Sequence, residues 1–290
     1  MCSTSVRCRW SVRLLLASVV AGAFLFGGGS DRACAAPIDS GAENDLRALL
    51  SDSGFQGGLV VVVGLRDAED ALALSDLSGA LVHGLSAESA SVAPVRRALK
   101  AANAYGRVSI ASWSGSNLPY ADGTVTRLIV LPSGTMPASG EIDRVLAPRG
   151  VAWIPGDNGF VSRRKPRPAD VDGWTHARYD ATGNAVSRDR RVGPPRFLQW
   201  EALPRWNRGT KTSGLVSANG RVFSILNDSS YASNDRTWSL IARDAYNGVE
   251  LWRHDLPEWG GARMGKKVGP AQMNRRLVAV GDRVYATLDE

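Results

Sequence analysis

The chain has 290 residues, of which 44% are hydrophobic and 22% are charged. This composition is that of a globular protein long enough for two domains, and it excludes a mainly disordered, collagen-like or multi-span membrane protein. The net charge of +7 is unevenly distributed: residues 36–160 carry 9 basic and 13 acidic side chains, whereas residues 161–290 carry 22 basic and 14 acidic ones. The basic character is therefore local, and by itself it does not indicate a nucleic-acid partner.

Residues 1–35 have the pattern of a secretory signal peptide. Three arginines, Arg7, Arg9 and Arg13, precede an apolar run at residues 14–26, and a small-residue stretch follows it. This run is shorter than the roughly 20 residues that a membrane-spanning helix needs. We expect cleavage after Ala35, export to the periplasm or cell envelope, and no membrane span in the mature protein. An uncleaved anchor is the alternative.

All three cysteines, Cys2, Cys8 and Cys34, lie in this leader. A mature chain without cysteine has no disulfide, no thiolate metal site and no cysteine nucleophile. We predict no metal site.

Residues 41–157 alternate between strand and helix patterns. The apolar, β-branched run at residues 58–64 is typical of a strand buried on both faces of a parallel sheet. Further strands are predicted at residues 80–85, 108–113, 125–131 and 150–154, and helices at residues 67–77, 88–105 and 141–146. This order predicts a doubly wound α/β sheet of about five strands.

Two segments of this region resemble the Rossmann-like class I S-adenosylmethionine (SAM)-dependent methyltransferases. They are Leu118-Pro119-Tyr120-Ala121-Asp122, which leads into the fourth strand, and residues 141–152, which enter the fifth. The resemblance implies a SAM site built from a glycine-rich turn after the first strand and from acidic residues after the second and third strands.

The positions that this resemblance assigns to the cofactor are altered. The turn reads Gly64-Leu65-Arg66-Asp67-Ala68, in which only Gly64 matches the expected glycines, because side chains at the other positions hinder close backbone approach. The acid positions fall on Ser86 and Ser114, whose hydroxyls accept weaker hydrogen bonds than a carboxylate does. We therefore predict vestigial SAM positions at Gly64, Asp67, Ser86 and Ser114, with no bound cofactor and no catalytic residue.

An active methyltransferase is the alternative, in which Asp67 or Glu88 supplies the missing acid. His83 follows no catalytic pattern and is predicted to be a partly buried polar residue of the core.

Residues 158–213 are predicted to be a basic connector. The run Arg163-Arg164-Lys165-Pro166-Arg167-Pro168 is incompatible with a regular helix or a central strand. Acidic residues are interleaved after it without regularly spaced aromatic side chains, which argues against nucleic acid as a partner. His176 is expected to form a hydrogen bond within a loop.

Residues 214–290 contain antiparallel strand patterns. Strands at residues 215–218 and 221–226 flank Asn219-Gly220, the strongest signal for a type I′ hairpin turn, and strands at 238–243 and 249–254 flank Asn247-Gly248. Residues 279–285 repeat the pattern of 218–223, with Arg283 lying 62 residues after Arg221. A four-stranded unit that recurs at a fixed distance is typical of a β-propeller blade.

Residues 242–252 resemble the repeat motif of pyrroloquinoline-quinone (PQQ)-type propellers. Asp244, Gly248 and Trp252 occupy the motif positions and are expected to have structural roles in the turn and the blade. The whole chain resembles large bacterial PQQ-binding-like propeller proteins. Because residue 290 falls within a strand pattern, we expect a fragment whose further blades lie beyond it.

These observations predict an exported, non-catalytic binding or scaffolding protein, with an incomplete propeller that meets an unknown protein or small-molecule partner through its loops. The alternatives are an active SAM-dependent methyltransferase and, in the full-length protein, a PQQ-dependent dehydrogenase. SAM and PQQ are the cofactors that the resemblances imply.

Overall fold

The computed structural model describes residues 5–7, 46–52, 54–157, 159–194, 198–202, 212–227, 237–257, 259 and 273–288. Most of the predicted leader, with its three cysteines, lies outside these residues. The first described strand, β1 (Ser5–Arg7), pairs antiparallel with a strand near the other end of the chain, at Arg283–Thr287. No helix in the described residues is long and apolar enough to cross a membrane.

The first unit is a six-stranded mixed sheet. Its strands are β2 (Gly58–Val63), β3 (Ala80–Ser86), β4 (Val108–Ser112), β5 (Val125–Val130), β6 (Leu146–Gly156) and β7 (Gly159–Arg164), in the spatial order β4-β3-β2-β5-β6-β7. All neighbours are parallel except β6 and β7. The helices are α1 (Leu46–Asp52), α2 (Ala68–Ala73), α3 (Ser89–Ala101) and α4 (Ser139–Val145). This arrangement fits a Rossmann-like methyltransferase fold, as the alternating pattern predicted.

The core of this unit lies on both faces of the sheet. Four successive valines of β2, at residues 60–63, are fully buried, and they divide between two hydrophobic clusters on opposite faces. Successive side chains of a strand point to opposite faces, so a continuous apolar run is what a strand covered on both sides requires.

Three elements differ from the sequence-based expectation. The prediction of about five strands is one strand short, because β7 pairs with β6 inside the segment predicted as a connector. Its position at the sheet edge tolerates the prolines that follow it at residues 166 and 168. Helix α1 was not predicted, and α2 ends at Ala73, short of the predicted residue 77.

The second unit consists of antiparallel strands. Its four-stranded sheet contains β8 (Thr212–Ala218), β9 (Arg221–Asn227), β10 (Trp238–Asp244) and β11 (Glu250–Asp255) in sequential order. A smaller sheet joins β1 to β12 (Leu277–Val280) and β13 (Arg283–Thr287). The four-stranded sheet matches the predicted hairpins and is compatible with a propeller blade, although a propeller is not shown.

The two asparagine-glycine turns differ. Asn219 and Gly220 have φ values of 51° and 76°, as a type I′ turn requires. In the second hairpin only Gly248 has a positive φ, and the Gly248 N–H donates to the Asp244 carbonyl in a longer loop.

The two units meet at three glycines, Gly57, Gly58 and Gly79, which we call the glycine seam. All three have positive φ values. A Cβ at Gly79 would lie 2.6 Å from the carbonyl oxygen of Leu251, and a Cβ at Gly57 would lie 2.7 Å from the Leu251 side chain. At this seam the absence of side chains allows β11 to approach the α/β unit closely.

The segment after β7 contacts the antiparallel unit. The Trp174 N–H donates to Ser217 Oγ at 2.9 Å, and the Ala279 N–H donates to the Thr175 carbonyl, also at 2.9 Å. The first contact reaches β8 and the second reaches β12. The predicted connector therefore bridges the two antiparallel sheets through backbone groups.

Candidate functional site

The predicted SAM positions lie at one edge of the α/β sheet. Gly64 follows β2, Ser86 ends β3 and Ser114 follows β4, and the carboxyl ends of parallel strands share an edge. Strand β2 lies between β3 and β5, so the connections on its two sides run in opposite directions. In open α/β sheets ligands bind outside the carboxyl ends of the strands at such a switch point.

Gly64 forms the turn with its neighbouring loop. Its φ is +93°, and a Cβ at this position would lie 2.6 Å from Cα of Gly134. The Arg66 guanidinium donates to the Ser133 carbonyl at 2.8 Å, which fastens the same loop. Neither Arg66 nor Ala68 has a positive φ, so the turn forms with one glycine, and the side chains at these two positions do not strain it.

Asp67 has a structural role in the adjacent helix. It is the N-cap of α2, where its side chain accepts a hydrogen bond from the Glu69 N–H at 2.6 Å. N-capping carboxylates satisfy backbone donors that the helix leaves unpaired.

Ser86 is turned into the protein, whereas Glu88 faces solvent. Ser86 is fully buried, and its hydroxyl lies 2.9 Å from Ser91 Oγ and 3.3 Å from the Glu88 carbonyl. The Glu88 side chain is 57% exposed and makes no capping bond to α3, although it occupies the N-cap position. Its carboxylate lies 3.9 Å from Arg66. Ser114 is also exposed. Glu88 is therefore the acid that this edge presents next to the glycine turn.

His83 lies within β3 and has a partner that sequence reasoning missed. Its Nδ1 lies 2.8 Å from the Tyr120 hydroxyl, and the two rings meet edge to face. Burial and the charge of Arg96 lower the pKa of His83. Burial also raises the pKa of the Tyr120 phenol. The neutral imidazole of His83 and the neutral phenol of Tyr120 are both favoured, as expected of a polar pair within the core.

A second pair of residues, Arg144 and Glu141, fixes the loop that enters β5. Arg144 donates to the carbonyls of Leu118 and Tyr120 and to the carboxylates of Asp122 and Glu141, at 2.7–2.9 Å. Glu141 accepts the Leu118 N–H at 2.8 Å. The hydrogen bond from Arg144 lowers the pKa of Glu141 to about 2. Glu141 and Arg144 of α4 therefore connect the two segments that resemble methyltransferases, residues 118–122 and 141–152.

The propeller-motif residues lie at the junction of the two units. Asp244 is fully buried, and its carboxylate accepts the Tyr246 N–H at 2.9 Å within the turn. Gly248 packs against Trp200, whose ring a Cβ would approach to 2.5 Å. Trp252 is partly buried, with its ring centroid 6.0 Å from that of Phe223 in the same sheet.

The motif turn also reaches the α/β unit. Asp244 accepts a hydrogen bond from the Thr126 hydroxyl at 3.3 Å, and the Asn247 side-chain amide donates to Thr126 Oγ1 and to the Thr124 carbonyl, both at 2.9 Å. The motif alone predicts a local turn and gives no signal for these contacts. Sequence reasoning therefore missed the junction.

His176 forms the expected loop hydrogen bond, with Nδ1 lying 2.8 Å from the Thr175 hydroxyl. Within the described part of the chain, no group of three or more His, Cys, Asp or Glu side chains is placed to hold a metal ion.

No family model and no curated protein matches the chain. Solved structures match its α/β unit. A protein from Methanococcus maripaludis described as a SAM-dependent methyltransferase is 19% identical, with a TM-score of 0.36, over 40% of this chain and 56% of that one. The geranyl diphosphate C-methyltransferase of Streptomyces coelicolor is 22% identical, with a TM-score of 0.33, over 38% and 44% of the two chains. The [4+2]-cyclase SpnF is 22% identical, with a TM-score of 0.33, over 38% of this chain and 43% of that one.

The matched parts span about half the length of these proteins, and at such identities the likeness concerns the fold alone. The comparisons nevertheless correct one prediction. These matches do not support the prediction of a non-catalytic scaffold with a vestigial domain: they are described as methyltransferases and a cyclase, and what they share with this chain is the fold. PQQ, which only the resemblance to propeller repeats implied, has no support among these matches.

Proposed function

We propose that the protein is a SAM-dependent methyltransferase whose α/β unit binds the cofactor at the carboxyl edge of β2 and β3. The observation that carries this proposal is the exposed Glu88 carboxylate, which makes no capping bond and lies beside the Gly64 turn at the switch point. A charged acceptor at this place is what the hydroxyls of a ribose require.

The residues present fit the two ends of such a ligand. Glu88 would accept hydrogen bonds from the ribose hydroxyls, and Arg66 would pair with the carboxylate of the methionine part. Their present ion pair is long, at 3.9 Å, and both side chains are about half exposed, so exchanging it for ligand contacts costs little. Gly64 and Gly134 pack backbone to backbone, since a Cβ at Gly64 would lie 2.6 Å from Gly134 Cα and a Cβ at Gly134 would lie 2.7 Å from the Val63 carbonyl oxygen, so the turn that leads to Arg66 is tightly held. When bound, the cofactor supplies an electrophilic methyl group.

Isothermal titration of SAM and of S-adenosylhomocysteine into the full chain tests this proposal. We expect saturable binding of both, and Glu88→Gln is expected to weaken it about tenfold because a charge-assisted hydrogen bond is lost. Glu69→Gln is the matched control, since Glu69 is an exposed carboxylate at the start of the neighbouring helix α2. Absence of saturable heat at millimolar ligand, or equal losses in both variants, would contradict the proposal.

We further infer that the antiparallel sheets are stacked blades of a propeller array. The 62-residue spacing of Arg221 and Arg283 supports this inference. So does the packing of Leu277, in β12, in one cluster with Ile225 of β9. We expect Leu277→Asp to lower the melting temperature, whereas Val280→Asp, on the exposed side of the same strand, should leave it nearly unchanged. Equal effects would contradict stacking.

A further inference from the structure

A cavity of about 360 Å³ lies at the opposite edge of the α/β sheet, between it and the four-stranded sheet. Four arginines from four different strands line it: Arg127 of β5, Arg149 of β6, Arg164 of β7 and Arg221 of β9. A volume of this size is within the range of small-molecule sites, which runs from about 300 to 1,000 Å³.

The cavity wall has an excess of positive charge. Among the described residues that line it, the carboxylates are Asp244 and Asp282, so the four guanidinium groups leave a formal net charge of +2 (4 − 2). Asp244 is already engaged by Arg221 at 3.3 Å, by Thr126 and by the Tyr246 N–H. Asp282 is largely exposed and lies 3.8 Å from Arg283.

Arg149 and Arg164 are the two exposed arginines of this wall. Within the described ranges neither forms an ion pair with a carboxylate. Arg149 has a φ of +67°, a left-handed conformation that costs about 1 kcal/mol or more for a residue with a side chain. It is held there by a backbone hydrogen bond from its N–H to the Lys165 carbonyl at 2.8 Å. Strained residues of this kind concentrate at ligand sites.

Arg127 forms the inner part of the wall. It is buried, with its guanidinium 5.3 Å from the centre of the Phe55 ring, and it donates to the Thr126 carbonyl at 2.9 Å. Burial, together with the charges of Arg164 and Arg221, lowers the pKa of Arg127 to about 10. Mutual repulsion of this kind is relieved when an anion enters.

We propose that this cavity binds a small phosphate monoester. The dianionic phosphate matches the charge excess of +2. Each guanidinium group can also donate two parallel hydrogen bonds to phosphate oxygens. The rest of such a ligand would lie against the aromatic rings of Phe223 and Tyr246, which form part of the same wall. This site is separate from the proposed cofactor site, because the amino ends of β5 and β6 and the carboxyl ends of β2 and β3 lie at opposite edges of the sheet.

The test is a titration of inorganic phosphate into the full chain, with ionic strength held constant by chloride. We expect saturable binding that Arg149→Gln and Arg164→Gln each weaken about tenfold. Arg163→Gln is the matched control, because it removes the same charge from the same strand but from a side chain paired with Asp143. Arg163 is not among the residues that line the cavity, and exposed charges interact weakly across solvent. Its substitution should therefore change the phosphate affinity less than about twofold.

Arg164 is exposed on an edge strand, so its variant is expected to fold even if Arg149→Gln does not. Phosphate binding that Arg163→Gln and Arg164→Gln weaken equally would overturn the proposal, as would the absence of saturation. Succinate provides a second comparison, since binding as tight as that of phosphate would overturn the assignment to phosphate monoesters. Failure of SAM binding leaves this result unaffected.

Discussion

The sharpest stability test of the junction is Asp244→Ala. Asp244 is 1% exposed and faces the Arg221 guanidinium, whose side chain is 18% exposed. Removing the carboxylate leaves a largely buried cation next to the other arginines of the cavity, and it also removes the acceptor for Thr126. Breaking a buried ion pair from one side costs about 3–5 kcal/mol. Because water reaches Arg221 through the cavity, we expect the lower end, about 3 kcal/mol.

The measurement is urea unfolding followed by tryptophan fluorescence, with the midpoint and slope compared with those of the unmodified chain. Asp282→Ala removes an exposed carboxylate from the same cavity wall and should cost at most about 0.5 kcal/mol. Adding Arg221→Met to Asp244→Ala should recover part of the loss, because the largely buried cation that faces Asp244 is then removed as well. The reasoning is refuted if Asp244→Ala costs no more than Asp282→Ala, or if the second substitution adds a further loss.

Three other outcomes are expected. Gly64→Ala should destabilise the chain by about 1–3 kcal/mol in thermal unfolding, because φ is +93° and the new Cβ would collide with Gly134. Gly140→Ala is the control: its Cβ would point into open space on α4, so this variant should be neutral or slightly stabilising. The pKa of His83 in the folded state lies below 6.5, so on acidification the unfolded chain binds the His83 proton before the folded chain does. The free energy of unfolding should therefore fall as the pH drops below 6.5. In urea titrations, His83→Gln should make this fall with pH less steep. Arg144→Gln should cost about 1–2 kcal/mol in the same assay through lost bonds to the loop before β5, and an effect within error would show that these bonds are dispensable.

The sheet was predictable because its strands carry a strong local signal. The buried valines of β2 allow few other structures, and the segment at residues 118–122 leads into β5 as expected. Strand β7 was missed because its side chains are mostly exposed and its last residues, Arg163 and Arg164, suggest a solvated segment. An edge strand needs only backbone pairing on one side, which leaves little trace in the sequence.

The candidate sites were less predictable, since they depend on side chains that are distant in sequence. Ser86 stood at the expected acid position, but only the structure shows that its hydroxyl bonds within the protein while Glu88 faces solvent. The contact between Asp244 and Thr126 joins residues 118 positions apart. The motif around Asp244 specifies a turn, and a turn signal contains no information about its distant partner.

The glycine seam limits how the two halves of the molecule can move. With backbone against backbone at Gly79 and Leu251, there is no layer of side chains whose rotamers can adjust when one half slides or tilts. Entry of a ligand into the arginine-lined cavity is therefore expected to depend on the side chains at its mouth rather than on hinge opening. Gly79→Ala would place a methyl group against the Leu251 backbone. This substitution offers a way to loosen the contact between the two units without altering any ligand-facing residue.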